Sequence, residues 1–233
     1  MKSYLRLCMF FLCAVFAILP LQVSASWQPE IAIGLSQGAS EVRLSATTGK
    51  LSVYEDSGQK PILEVAQGGI LDIRIVREQI LVNGREVKGN PLTIRPAAGF
   101  INVNDVPYRG YIVLLKRKGL TVVNHVPVED YLYGVVPKEM PPGWNAEALR
   151  AQSVAARTFA LKNRKRHSAE GSDLCSTTHC QIYEGLSAET RTTTAAVDST
   201  RGEVLFYKGA VIDSFFHTDS GGMTESSEYV WES

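Results

Sequence analysis

The sequence predicts an α+β protein, with a β-rich N-terminal region followed by a mixed domain that contains a long alanine-rich helix and antiparallel hairpins. Short segments of alternating apolar and polar residues continue to about residue 126 and are separated by turn residues. At Val128 the apolar residues change to helical spacing, and a second helical segment, rich in alanine, follows Asn145. Alternation with a period of two indicates half-buried strands, whereas a spacing of three to four residues indicates helices.

The strands are predicted by their alternation and by the turns between them. Leu71–Val76 places apolar side chains at every second position, as a strand with one buried face requires. Turn residues separate paired strand-like segments, and Asn-Gly is the dipeptide that a type I′ turn favours. Three hairpins are predicted on this basis: residues 80–87 about Asn83-Gly84, residues 111–126 about Lys118-Gly119, and residues 203–216 about Lys208-Gly209.

Residues 128–142 predict a short helix followed by a proline-stiffened loop. Glu129 and Asp130 would occupy the first turn, where acidic side chains complement the helix dipole. Pro137, Pro141 and Pro142 are expected to prevent a continuous helix, because proline lacks the N–H group that an internal helical position donates and restricts the residue before it. Glu139 is therefore expected on the loop, where a carboxylate is most often a solvated surface group.

The alanine-rich segment from Asn145 to Arg166 predicts a largely buried helix, with Asn145 as its N-cap. Arg157 lies in the middle of this segment, where an unpaired buried cation would be costly. Either the arginine extends to the surface, or it meets a partner in a cleft. Glu139 and Glu129 are the candidate carboxylate partners, and a sugar hydroxyl is the other candidate.

The first 25 residues, 1–25, are typical of a secretory signal. Lys2 and Arg6 precede an apolar run, and Val23-Ser24-Ala25 supplies the small residues of a cleavage site. We therefore expect the protein to be exported across the cytoplasmic membrane, or to be anchored in it if the segment is not cleaved. The rest of the chain is divided into a β-rich region, residues 26–107, and a second domain, residues 108–233.

The charge of the chain argues against a nucleic-acid partner. It contains 24 basic and 24 acidic residues, and two of the basic ones lie in the predicted signal segment. A chain without net positive charge lacks the electrostatic footprint that a phosphate backbone requires. We therefore expect no nucleic-acid binding.

The second domain contains a cluster of cysteine and histidine residues. Cys175 and Cys180 remain after removal of the signal segment, His179 lies between them, and His167 stands upstream. A cysteine pair in an exported protein normally forms a disulfide. A zinc ion held by Cys175, Cys180, His179 and His167 would instead satisfy the Cys2His2 set of a tetrahedral structural site. The spacing alone leaves both interpretations open.

Several motifs occur in order along the second domain. They are Val128–Leu132 (VEDYL), Glu139–Pro141 (EMP), Glu147–Gln152 (EALRAQ), Val154–Thr158 (VAART), Cys175–Tyr183 (CSTTHCQIY), Ser220–Gly222 with Thr224-Glu225, and Val230-Trp231. From about Tyr108 onward the chain thereby resembles the stage II sporulation protein D and LytB amidase-enhancer family (SpoIID/LytB). Two departures are visible. The family's Ser-Ser-Gly-Gly loop is Asp219-Ser220-Gly221-Gly222 here, and relatives usually continue past the position of Ser233, so part of the domain is expected to be missing.

The resemblance implies a lytic transglycosylase that cuts the glycan strands of peptidoglycan, preferentially strands stripped of stem peptides. The glutamate of the Glu-Met-Pro motif, Glu139 here, is then the catalytic acid, and Arg157 is implicated in activity. Glu139 would protonate the oxygen between N-acetylmuramic acid and N-acetylglucosamine and then accept the proton of the 6-hydroxyl, which gives a 1,6-anhydro product. Some members bind zinc through the matching Cys/His loop, which favours a structural zinc ion over the disulfide.

Other residues are expected to complete the site. Met140, Pro141 and Trp144 are expected to bury Glu139 in part, and Glu225 is the rival for a second carboxylate. The candidate substrate contacts are Arg157, Gln181, Tyr183 and Ser220, with loop packing as the alternative for the last three.

Two other functions are weighed against the enzyme. The protein could be a non-catalytic wall-binding accessory that stimulates a separate cell-wall amidase, as the LytB name suggests. It could also be a zinc hydrolase, but two thiolates and two imidazoles would leave no coordination position for water. The expected partners are therefore peptidoglycan strands and a cell-wall amidase.

Overall fold

A computed structural model of the protein describes residues 29–55, 58–217, 221–226 and 229. The predicted signal segment, Ser220 and Val230-Trp231 lie outside these residues. Within them, a large sheet is combined with helices, which confirms the α+β prediction.

The helices are α1 (Val128–Glu139), α2 (Ala146–Lys162) and α3 (Arg191–Ser199), and all are too short or too polar to cross a membrane. The strands are β1 (Glu30–Ala39), β2 (Glu41–Glu55), β3 (Leu63–Val65), β4 (Leu71–Val76), β5 (Gln79–Val82), β6 (Arg85–Val87), β7 (Leu92–Val103), β8 (Val106–Tyr108), β9 (Tyr111–Arg117), β10 (Gly119–Pro127), β11 (Leu174–Cys175), β12 (Phe206–Tyr207) and β13 (Ala210–Val211).

One sheet of 11 strands organises the described residues, in the order β11-β1-β10-β9-β7-β2-β4-β5-β6, with β3 paired to β2 and β8 to β7. The sheet thus contains strands from both sides of residue 107. Strand β11 is parallel to β1, with Ile33 opposite Leu174, and this pairing ties the Cys/His cluster to the edge of the sheet. Strand β10 leads directly into α1.

The turn residues form the expected hairpins. Asn83 and Gly84 both have positive φ, 49° and 77°, as a type I′ turn requires, and they join β5 to β6. Arg117 pairs with Gly119 at the start of the hairpin formed by β9 and β10. The third hairpin also forms, but its strands β12 and β13 have two residues each, shorter than the predicted residues 203–216.

Helix α1 contradicts the prediction that Glu139 lies on a loop. The helix continues through Pro137 and ends after Glu139, where the Met140 N–H donates to the Val136 carbonyl at 3.0 Å. Burial of the preceding turn, including Val135 and Val136, holds the helix together although Pro137 offers no N–H. The actual terminator is Pro141, because a residue before proline is forced out of the helical region. Met140 is accordingly extended, with φ −142° and ψ 133°.

Helix α1 lies in the one hydrophobic core cluster that extends from the sheet to the helices of the described residues. It packs against α2, α3 and the end of β10. Its buried residues are Val128, Glu129, Tyr131, Leu132, Tyr133, Gly134, Val135 and Val136. Because only the last turn emerges from this packing, the fold presents the C-terminal end of α1 to its surroundings.

Candidate active site and metal cluster

Glu139 lies at the emergent end of α1, beside a cavity of about 280 Å³. Its side chain is half-buried, and Oε1 accepts a hydrogen bond from the Ile182 N–H at 3.1 Å. The described residues that line the cavity are Glu139, Phe159, Arg166, Thr178, His179, Cys180, Ile182, Ser214, Phe215 and Phe216. Glu139 is the one carboxylate among them. The volume is near the lower end of ligand pockets, so it would hold a reacting sugar rather than a long strand.

The two neighbours of Ile182 hold its N–H in place. Gln181 is fully buried, and its side chain accepts a hydrogen bond from the Tyr131 hydroxyl at 3.2 Å and donates to the Ala156 carbonyl at 3.4 Å. Tyr183 is also buried, and its hydroxyl donates to Asn124 Oδ1 at 3.0 Å. Because these bonds reach α1, α2 and β10, the N–H that meets Glu139 is positioned by the core.

Two glycines allow this segment to approach its neighbours. A Cβ atom at Gly134 of α1 would lie 2.8 Å from the Tyr183 ring and 3.0 Å from the Gly185 carbonyl oxygen. Gly185 itself has φ +62°, and a Cβ atom there would meet the Pro107 carbonyl at 2.4 Å. Contacts under 3.0 Å do not occur for real side chains, so both positions require glycine for the loop to seat against α1 and β8.

The apolar surroundings of Glu139 differ from the prediction. Phe159 of α2, Ile182, Phe215 and Phe216 supply the apolar wall, and Phe159 meets Phe216 edge-on with ring centroids 6.5 Å apart. Trp144 instead lines a separate apolar groove beside α2 and α3. Met140 and Pro141 are likewise absent from the described lining of the cavity.

Arg157 is buried within the core and pairs with Glu129. Its Nε and Nη2 donate to the two carboxylate oxygens of Glu129 at 2.9 and 2.8 Å, and the guanidinium is 1% exposed. The remaining donors reach the carbonyls of Ser153, Val197 and Glu203. Glu129 lies in the first turn of α1 and Glu139 in the last, which separates them by roughly 15 Å along the axis.

The geometry therefore does not support the expected substrate contacts of Arg157, Gln181 and Tyr183. Their side-chain polar groups form hydrogen bonds within the protein, and none of the three residues lines the cavity. Ser220 lies outside the described residues. Glu225 is exposed and accepts a hydrogen bond from the Ser226 N–H, and it is absent from the described cavity wall.

The four residues of the Cys/His cluster converge as predicted. The ligand atoms of His167, Cys175, His179 and Cys180 all lie within 4.8 Å of one another. His167 Nε2 and His179 Nδ1 are 3.2 Å apart, and the N–S separations are 3.4 Å to 3.7 Å. Both cysteines are free thiols rather than a disulfide.

These separations fit a tetrahedral metal. Zinc with bonds of about 2.0 Å to nitrogen and about 2.3 Å to sulfur requires N–N and N–S edges of about 3.3 and 3.5 Å. Burial tends to raise the pKa of the Cys175 thiol, but hydrogen bonds from Thr177, His179 and Cys180 outweigh it and lower that pKa to about 6. Burial raises the pKa of Cys180 to about 11. One thiol is thus already poised to ligate at neutral pH, and a metal would displace the proton of the other.

Sequence reasoning missed most of the cavity wall. Arg166 directly precedes His167 of the Cys/His cluster, and this adjacency is the sequence signal that relates it to the site. Ser214, Phe215 and Phe216 reach the cavity from the segment after β13, and nothing in their local pattern relates them to α1. Only the three-dimensional packing brings them to Glu139.

Comparison with known proteins finds one family that part of the chain resembles. Residues 116–207 match the model of the stage II sporulation protein family (SpoIID). The chain is 33% identical over 194 residues to an amidase enhancer of Bacillus subtilis strain 168, covering 80% of the chain and 26% of the relative. It is 38% identical over 126 residues to stage II sporulation protein D of the same strain, covering 48% of the chain and 37% of the relative.

A third relative is an uncharacterised protein of Brachyspira hyodysenteriae, 39% identical over 131 residues, covering 55% of the chain and 36% of the relative. The chain thus spans between about a quarter and just over a third of the length of these curated relatives. The matched residues include α1, α2 and the whole Cys/His cluster. Residues 116–207 therefore resemble a domain of the stage II sporulation protein family, which confirms the resemblance of the chain's motifs to that family.

Proposed function

We propose that the protein remodels the bacterial cell wall as a lytic transglycosylase, with Glu139 as its acid and base. One observation carries the proposal: the single described carboxylate of the cavity is fixed through Oε1 by the Ile182 N–H. This bond orients the carboxyl group while its second oxygen remains for the substrate. The family match and the relatives named for sporulation and amidase enhancement support a role in the wall.

A single carboxylate, as the described cavity wall contains, suits this reaction better than hydrolysis. Glycosidases that use water generally need two carboxylates that flank the scissile bond. Here Glu139 gives its proton to the bridging oxygen, and the bond between that oxygen and C1 of N-acetylmuramic acid breaks with its electrons on the departing sugar. The Glu139 carboxylate then accepts the 6-hydroxyl proton while O6 bonds to C1, which restores the acid and closes the 1,6-anhydro ring.

The apolar wall would assist by excluding water from the cavity. Phe159, Phe215 and Phe216 cover one side, and water that cannot enter cannot compete with the 6-hydroxyl. Ile182 contributes both its side chain to the wall and its N–H to Glu139.

We further propose that His167, Cys175, His179 and Cys180 hold a structural zinc ion, since their separations fit one. Bound there, zinc would supply a cross-link between the segment after α2 and the loop that precedes Ile182. Because His179 and Cys180 also line the cavity, this cross-link would stiffen its wall. We propose as part of the same function that the activity lies outside the cytoplasmic membrane, and the signal-like sequence of residues 1–25 supports this location.

The second candidate function is a wall-binding accessory of a separate amidase. The relative named amidase enhancer is the observation that favours it. One experiment distinguishes the enzyme from the accessory: the purified chain is incubated alone with glycan strands that lack stem peptides. Release of 1,6-anhydro ends, detected by mass spectrometry, supports the enzyme. Binding to the strands without any product, together with faster product release by an added amidase, supports the accessory instead.

A further inference from the structure

Among the described residues that line the cavity, Arg166 is the one permanent cation. Its Nη1 donates to Asn163 Oδ1 at 3.3 Å, and among the described residues no carboxylate lies within ion-pair distance of it. Its basic neighbours differ: Lys162 pairs with Asp213 and Arg164 with Asp173. Arg166 is also exposed, so most of its guanidinium donors face solvent or the cavity.

The substrate of the proposed reaction offers a matching anion. N-acetylmuramic acid carries a lactyl ether at its 3-position, and this group ends in a free carboxylate when the stem peptide is absent. When a stem peptide is attached, the carboxyl carbon of this lactyl group is part of a neutral amide. Arginine presents a planar fork that bonds a carboxylate through two parallel N–H donors, which an amide cannot reproduce.

We infer that Arg166 binds the free lactyl carboxylate of the N-acetylmuramic acid whose glycosidic bond Glu139 cleaves, so that Arg166 selects strands without stem peptides. This inference rests on the proposed function and names the residue that sets its substrate preference. The geometry supports it because Glu139 and Arg166 line one cavity of about 280 Å³, a size that suits a single sugar. A sugar held there with its anomeric oxygen at Glu139 presents its other substituents to the remaining wall.

A structural role for Arg166 is the competing explanation. Its charge acts on the Cys180 thiol and lowers that pKa, so the arginine also influences the cluster. If Arg166 had only a structural role, its substitution would alter metal content or folding, and the effect on activity would not depend on the charge of the substrate. The substrate's charge is therefore the variable to change.

The experiment uses the full chain and two matched substrates: glycan strands without stem peptides, and the same strands with their lactyl carboxylates converted to methylamides. Wild type, R166Q, R166K and the control R164Q are compared by the rate of 1,6-anhydro end formation and by strand binding. R164Q removes the same charge from the same basic segment but from a residue that does not line the cavity. Zinc content and thermal stability of each variant are measured in parallel.

We expect wild type and R164Q to prefer the carboxylate strands by about 10-fold or more, as loss of a charge-assisted bond predicts. R166Q should lose this preference and treat both substrates alike, and R166K should retain part of it. Equal losses on both substrates in R166Q, or a wild type that is indifferent to amidation, would overturn the inference. If wild type yields no product from either substrate, the proposed enzyme fails, while the binding preference still tests Arg166.

Discussion

Arg157 and Glu129 form a two-point ion pair inside the core, with N–O distances of 2.9 and 2.8 Å. The pair joins α2 to the first turn of α1, and the Gly202 N–H adds a third bond to Glu129 Oε1 at 3.1 Å. It therefore anchors the end of α1 that is opposite Glu139. Arg157 acts on Glu139 only through the placement of this helix.

Replacing Glu129 by glutamine should strongly destabilise the protein. The substitution leaves the buried guanidinium without its counter-charge, which typically costs about 3–5 kcal/mol of unfolding free energy. Urea denaturation measures the loss. The matched control is E147Q, which removes the exposed pair of Glu147 with Arg150 and should change stability by less than about 1 kcal/mol. Equal effects of the two substitutions would show that the buried pair does not hold the domain.

Replacing Gly134 by alanine should lower both stability and activity. The new methyl group would press on the Tyr183 ring at 2.8 Å and displace the segment that carries the Ile182 N–H. Overpacking of this kind costs about 1–3 kcal/mol, more than the gain in helix propensity from glycine to alanine. The control is G143A, where a Cβ atom meets nothing within 4 Å. A G134A protein with unchanged denaturation and product release would contradict the positioning role of Tyr183.

The Cys/His cluster should bind one zinc ion per chain. Elemental mass spectrometry of protein purified without added metal or chelator should detect this zinc ion. Removal by a chelator, or the substitution C180S, should lower the melting temperature by several degrees, because metal binding contributes to folding. Metal-free protein without titratable thiols would instead establish the disulfide.

Acidification should destabilise the fold in part through His125. Burial, the largest cause, lowers the pKa of this histidine below its usual value near 6.5, while Glu30 and Asp173 oppose the shift. The unfolded chain therefore binds the proton more readily than the folded chain. The contribution of neutral His125 to the unfolding free energy is complete above about pH 6.5 and is lost as the pH falls through the lowered pKa. The unfolding free energy of wild type should fall more between pH 7.5 and pH 5 than that of H125Q. Parallel losses in the two proteins would remove His125 from this role.

Local chemistry made the hairpins and the α2 cap predictable from sequence. Asn83-Gly84 specifies its turn by backbone preference, and Asn145 caps α2 by accepting from the Glu147 N–H at 2.8 Å. The residue types at Cys175, His179, Cys180 and His167 suggested a shared site, but their spacing left a zinc ion and a disulfide equally open.

Long-range packing decided what the sequence left open. The sequence offers both Glu129 and Glu139 as partners of Arg157. Only the path of α1 shows that Glu129 is the one that pairs with it. Of the three prolines expected to break the helix, Pro137 lies inside α1 because the buried turn before it outweighs the missing N–H group, whereas Pro141 follows the end of the helix. Gln181 resembled a sugar-binding side chain because its polarity is visible in the sequence, whereas its burial is not.

The rate at which wild type and E139Q release 1,6-anhydro ends from glycan strands without stem peptides tests the central claim most directly. The glutamine retains the size of the side chain and its acceptor for the Ile182 N–H but cannot exchange a proton with the sugar. We expect product release to fall by about 10²–10⁴-fold with folding and strand binding unchanged, and to persist in E225Q, whose carboxylate lies on an exposed segment. Wild-type rates in E139Q would contradict the account.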